Sequence, residues 1–128
     1  NLKNRIDLLG WLDPDEVARV LIGCDILLMP SYQEGMPMVG LQALVAGTAL
    51  IMSAVGACLD MVDNGKNGFL IEPGDIEGYA GALRQLLEDT PLLHDYKIKS
   101  SEKAKSFDIK EVVCAYKNVY LSIVDGEK

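Results

Sequence analysis

Glu34, followed at once by Gly35 and two residues later by Pro37, is the stretch of this chain best equipped for chemistry. A carboxylate in a loop accepts hydrogen bonds from sugar hydroxyls. Gly35 has no side chain, so a ligand can approach the main chain closely. Pro37 fixes the entry of a helix and orients the amides of Met38, Val39 and Gly40. The first N–H groups of a helix have no partner within it, and they suit a phosphate. Gln42 stands eight residues after Glu34. Its side chain leans back toward the helix start, so both residues can face one ligand. On the residues alone, a solvated loop acid and a surface glutamine are an equally good account.

The elements that must hold this loop follow a strand–helix rhythm. Ile6 to Leu9 reads as a short apolar strand closed by Gly10. Asp13-Pro14-Asp15-Glu16 is a helix start, with a capping Asp, a Pro in the first turn and acids at the positive dipole end. The helix runs to about Gly23. Asp25 to Pro30 then reads as a parallel strand buried on both faces. Pro37 opens a second helix with Met38, Leu41, Leu44 and Val45 on one face, and Gly47 ends it. Ala49 to Met52 is the next buried strand and Cys58 to Val62 a short helix. Asp63 to Gly68 is a dense turn signal, followed by a strand over Phe69 to Ile71. Three helices complete the chain, from Ile76 to Glu88, from Thr90 through Lys105 and from Ile109 to Val124. This is one α/β domain over residues 1–128, a Rossmann-like parallel sheet flanked by helices with a helical tail. The Glu34 loop falls at the carboxyl end of a strand, where open parallel sheets hold ligands.

Composition narrows the classes. The chain has 128 residues, 49% of them hydrophobic, and a net charge of −7. Nucleic-acid binding normally needs a basic face, so that class is disfavoured. Cys24, Cys58 and Cys114 are far apart, without metal-ligand spacing, and read as reduced, mostly buried thiols. No metal and no separate cofactor is expected. The start does not read as a signal peptide and no apolar run reaches membrane-spanning length; with the reduced thiols, a cytoplasmic location is the expectation. The abrupt start at Asn1, without an initiator methionine, suggests a fragment of a larger protein. His94 reads as a packed or surface residue and Trp11 as core, with sugar stacking as a lesser alternative. Met29, Met36, Met38, Met52 and Met61 read as filling the core and pocket wall. Lys97, Lys99, Lys103 and Lys105 read as a solvated helix face, with contact to a membrane surface as a lesser alternative.

The segment Glu34 to Val62 resembles the C-terminal domain of family 4 glycosyltransferases, retaining enzymes of GT-B fold. Glu34-Gly35-Met36-Pro37 matches the loop that carries that family's first Glu. Gln42-Ala43-Leu44-Val45-Ala46-Gly47-Thr48 matches the helix end that carries its second. The likeness extends through Asp63 to Ile71 and Pro73-Gly74-Asp75, and back to Gly10-Trp11 and Asp25 to Ser31, covering most of residues 5 to 90. By this resemblance the substrate is a UDP- or GDP-linked hexose, passed to a glycan or glycoconjugate. Glu34, Gly35, Met36 and Pro37 would bind the donor sugar, Met38 and Val39 the diphosphate, and Gln42 the ribose. The donor phosphate would itself help to deprotonate the acceptor, without a metal.

The chain also departs from the family pattern. Gln42 replaces the second Glu, and Ala49, Ala54, Ala57 and Asp60 stand where Pro, Asp, Gly and Glu are usual. The Arg and Lys that clamp the diphosphate, and the acceptor-binding N-terminal domain, would precede Asn1. The chain alone is therefore expected to transfer no sugar and to bind nucleotide at millimolar strength or worse. Self-association through uncovered apolar surface is a further expectation. The competing account is a non-catalytic GT-B descendant serving as a binding or scaffold module, motivated by Gln42, Ala54 and Ala57. An unrelated flavodoxin-like or receiver domain is disfavoured, since neither an acidic cluster nor a flavin loop stands at the strand ends.

Overall fold

Ala49-Leu50-Ile51-Met52-Ser53 forms β2, the middle strand of a three-stranded parallel sheet, and all five residues are buried. The computed structural model describes residues 3–124 and Gly126. Ahead of β2 come α1 (Pro14–Ile22), β1 (Ile26–Met29) and α2 (Met38–Ala46). After it come α3 (Cys58–Met61), β3 (Gly68–Ile71), α4 (Ile76–Glu88), α5 (Thr90–Ala104) and α6 (Ile109–Val124). A 3-10 turn over Lys105–Phe107 separates α5 from α6. The strands lie in chain order, with Ile26 beside Ala49 and Leu50 beside Gly68.

The alternation of β2 builds two cores. Leu50 and Met52 pack with Leu21 of α1, Ala43 and Leu44 of α2, and Cys58 and Met61 of α3. Ala49 and Ile51 pack on the other face with Tyr79, Ala82 and Leu86 of α4 and Tyr96 of α5. In α2 the buried face is Gly40, Ala43 and Leu44, whereas Met38 and Val45 of the expected stripe are exposed. Apart from Gln42 the helix is apolar all round, so the stripe could not be chosen from periodicity. Gly40 decides it: a Cβ there would stand 2.8 Å from the Met61 sulfur, so this side of the helix lies closest to the core. Helix starts follow the sequence closely. Asp13 accepts from the Glu16 amide at 2.8 Å and Glu16 bonds back to the Asp13 amide at 2.9 Å, a reciprocal cap. Gly47 closes α2 at φ +71, a left-handed conformation that glycine adopts freely.

α5 crosses the amino-terminal ends of all three strands. Lys97 pairs with Asp25, just before β1, at 2.7 Å. Gly47, just before β2, lies against Ser101 and the Lys97 carbonyl. The Ser100 hydroxyl donates to the carbonyl of Asn67, just before β3, at 3.4 Å. Lys103 pairs with Asp63 at 2.8 Å. The expected solvated lysine face is thus corrected for Lys97 and Lys103, which tie the helix to the loops below the sheet.

Three other expectations fail. Ile6 to Leu9 forms no strand, and Leu8 is 94% exposed. A strand gains its backbone hydrogen bonds only from a neighbour, and among the described residues none stands beside this segment. Trp11, read as core, is 89% exposed, and among the described residues no core cluster includes it. β1 is only partly buried, with Leu28 exposed, because it forms the outer edge of the sheet. Of the methionines, Met52 and Met61 lie in the core whereas Met36 and Met38 are exposed. α6 has the expected bounds, but no residue of it is buried; Cys114 is exposed on it and Cys24 is half-buried, so of the three cysteines expected to be mostly buried only Cys58 is.

Candidate functional site at the carboxyl ends of the strands

The loops after β1, β2 and β3 meet at the carboxyl edge of the sheet. Glu34 lies in the first, half-buried. The Ser31 hydroxyl donates to Glu34 Oε1 at 2.7 Å. Among the described residues no hydrogen bond engages Oε2. Behind this loop lies the turn after β2. The Ala57 amide donates to the Gly35 carbonyl at 3.0 Å. Gly56 has φ +50, and a Cβ on it would stand 2.0 Å from the Glu34 carbonyl oxygen. The two main chains are therefore in contact. Gly35 is open on its other side, with nothing within 4 Å of a Cβ. Tyr32, 80% exposed, lies over Gly74 in the loop after β3. Beneath, Ser53 at the end of β2 shares a buried 2.6 Å hydrogen bond with the Tyr79 hydroxyl. The Ala54 amide bonds to the Ile71 carbonyl at 2.8 Å. These contacts lock the floor of the site.

The start of α2 faces the same edge. Pro37 is buried and precedes the helix without a side-chain cap. The Gly40 and Leu41 amides bond to the Pro37 carbonyl, at 3.0 and 3.4 Å. The amides of Met38 and Val39 have no partner among the described residues, so two main-chain donors remain free there. Met36 and Met38 flank them, exposed.

Burial, and secondarily the charge of Glu34, push the Cys58 thiol above its ordinary value of 9.0. Gln42 stands apart. It is half-buried one turn into α2 and lines a groove of about 300 Å³ with Ala18 and Ile22 of α1 and Leu41, Val45 and Ala46 of α2. No hydrogen bond among the described residues joins it to Glu34. The structure thus brings together Glu34, Gly35, Pro37 and the amides of Met38 and Val39, with Gln42 on the α1 side of the helix. Sequence reading missed Ser31 and Gly56. A serine three residues before an acid was a usable signal for the first. Gly56 read only as a turn, since a contact with another loop leaves no mark in local sequence.

Comparison with known proteins agrees with this architecture. The family model for glycosyl transferases group 1 matches residues 1–103. The chain is 33% identical over 124 residues to an Escherichia coli UDP-Gal:alpha-D-GlcNAc-diphosphoundecaprenol alpha-1,3-galactosyltransferase, covering 97% of this chain and 32% of that protein. It is 33% identical over 121 residues to a Mycobacterium tuberculosis glycogen synthase, covering 93% and 29%. It therefore spans about a third of the length of these relatives. Among solved structures, sucrose-phosphate synthase from Thermosynechococcus elongatus superposes with a TM-score of 0.82 at 23% identity, over 98% of this chain and 32% of the other. Anabaena HepE in complex with UDP-glucose superposes with a TM-score of 0.71 at 21% identity, over 92% and 33%. A parallel sheet in this setting is the C-terminal domain of the GT-B fold, and by sequence the chain belongs to the group 1 glycosyl transferase family.

Proposed function

We propose that this chain is the donor-binding part of a retaining glycosyltransferase that takes a hexose from a UDP- or GDP-linked donor and passes it to a glycan or glycoconjugate. The observation that carries the reading is the pairing of a held carboxylate, Glu34, with the two uncommitted amides of Met38 and Val39 at one sheet edge. In this reading Glu34, with Gly35, Met36 and Pro37, takes the donor sugar. The amides of Met38 and Val39 meet the diphosphate at the positive end of α2. Gln42 meets the ribose. An acceptor domain preceding this segment completes the enzyme, and the donor phosphate accepts the acceptor's proton, so this half supplies no base. A cytoplasmic location, at the inner face of a membrane when the acceptor is lipid-linked, fits this reading. Among the described residues no helix is long and apolar enough to cross a membrane.

Glu34→Ala in the full-length enzyme tests the assignment. Hydrogen bonds to a charged group contribute about 1.5–3 kcal/mol, so kcat/KM should fall roughly ten- to hundredfold. Unchanged sugar transfer would remove Glu34 from the site. If the protein's biological role survives the substitution and no sugar transfer is detectable, the scaffold account replaces this one. The alanines at 54 and 57, at the mouth itself, are the observation that favours it.

A further inference from the structure

We infer that Ser31 and Gly56 are positioning residues that aim Glu34, one by holding its carboxylate and the other by seating its main chain. The inference rests on Glu34 being the sugar-binding carboxylate. Neither residue needs to touch the ligand.

Two independent contacts carry the argument. The first fixes the side chain. A free glutamate on a loop samples several rotamers, and ordering it costs conformational entropy. The Ser31 hydroxyl takes Oε1 at 2.7 Å, within the range of a short, charge-assisted bond. That bond leaves Oε2 as the oxygen available to a sugar hydroxyl. The second contact fixes the backbone. At Gly56 a Cβ would lie 2.0 Å from the Glu34 carbonyl oxygen, 2.9 Å from its carbon and 3.3 Å from the Gly35 carbonyl oxygen. These are backbone atoms, which cannot swing aside as the end of a side chain can. The φ of +50 at Gly56 adds strain for any other L residue. The Ala57 amide completes the seat by bonding the Gly35 carbonyl at 3.0 Å. Any side chain at position 56 must push the Glu34 loop off its support. A shift of that kind misplaces the carboxylate relative to the Met38 and Val39 amides, and misplacement by about 1 Å can cost up to a hundredfold where geometry matters.

The test is a chemical-shift titration of the 128-residue chain with UDP-glucose and, separately, with UDP, both to tens of millimolar. The unaltered chain should prefer UDP-glucose, and Glu34→Gln should abolish that preference. Ser31→Ala should weaken UDP-glucose binding by roughly three- to tenfold with UDP unchanged, and Ser31→Thr, which keeps a hydroxyl, should restore it. Gly56→Ala should act like Ser31→Ala and add nothing on top of Glu34→Gln, the mark of a residue acting through another. Amide exchange supplies a readout without ligand. In Gly56→Ala the Ala57 amide should lose protection while the amides of β2 keep theirs. If Glu34→Gln removes the preference but Ser31→Ala or a folded Gly56→Ala keeps it, that residue does not aim Glu34, and the sugar site stands. If the unaltered chain binds both nucleotides alike, or Glu34→Gln changes nothing, the site assignment itself falls and the positioning role with it. Should Gly56→Ala unfold the chain, the Ser31 pair decides for the carboxylate, and loss of the fold disproves a role confined to Glu34 for Gly56.

Discussion

Gln42 is the residue on which sequence and geometry bear most unequally. By family likeness it occupies the place of an acid, yet its side chain lines a groove of alanine, isoleucine, leucine and valine without a hydrogen bond among the described residues. A neutral amide gives a bound hydroxyl about 0.5–1.5 kcal/mol against about 1.5–3 for a carboxylate. Gln42→Glu in the full-length enzyme should therefore lower the donor KM roughly tenfold, as steady-state kinetics would show. An unchanged or raised value would place residue 42 away from the ribose. Cys58 makes a prediction about pH. Its thiol is fully buried and held above 9.0 by burial first and by Glu34's charge second. The unfolded chain then releases this proton at lower pH than the folded one. The neutral thiol's contribution to stability is intact below about 9 and is lost as pH rises through the higher folded value. Urea midpoints should fall above pH 9 in the unaltered protein, and Cys58→Ala should remove part of that slope. At this scale the sequence was informative about residues with local signatures. Glu34, Pro37 and the Asp13 cap announced themselves by neighbours three or four positions away. The contact of Gly56 with the Glu34 carbonyl joins positions 22 apart and could be seen only once the strands were aligned.

Among the elements, α5 shows how a surface reading turns into an architectural one. Its lysines are interspersed with serines and Glu102, which in one dimension reads as a wet face. In three dimensions Lys97 and Lys103 reach back to Asp25 and Asp63, acids that lie 72 and 40 positions earlier. Pairs of this exposure are worth little singly. Lys97→Ala and Lys103→Ala should each lower stability by about 0.5–1 kcal/mol, read as a shift in urea midpoint that molar salt largely erases. Losses insensitive to salt would show that the lysine stems, and not their charges, hold the helix. Element positions were largely legible, because caps, prolines and glycines mark helix ends and an unbroken apolar run marks β2. Failures came where burial depends on a neighbour. Ile6 to Leu9 has a strand's composition and nothing described to pair with. The face of α2 could not be read, because every residue of that helix but Gln42 is apolar or glycine, and a glycine chose which side packs.

For the molecule as a whole, the distribution of apolar surface matters more than its amount. Leu8, Trp11, Val45 and the length of α6 are uncovered, and the edge strand β1 has one side unpaired among the described residues. Exposed patches of this kind promote association. The net charge of −7 opposes it at long range and is screened by salt. The chain should therefore elute earlier from size exclusion as its concentration rises, and more so at higher ionic strength; a constant monomer volume across both would contradict this. The order β1, β2, β3 carries a last consequence, for how the protein is made. Strand partners such as Ile26 with Ala49 and Leu50 with Gly68 are separated by only 23 and 18 residues. Each strand can thus pair with the one before it, and the loops to be closed are short for a parallel sheet. The sheet can grow stepwise behind the ribosome, with α5 as the latch that closes its lower rim once β3 has emerged.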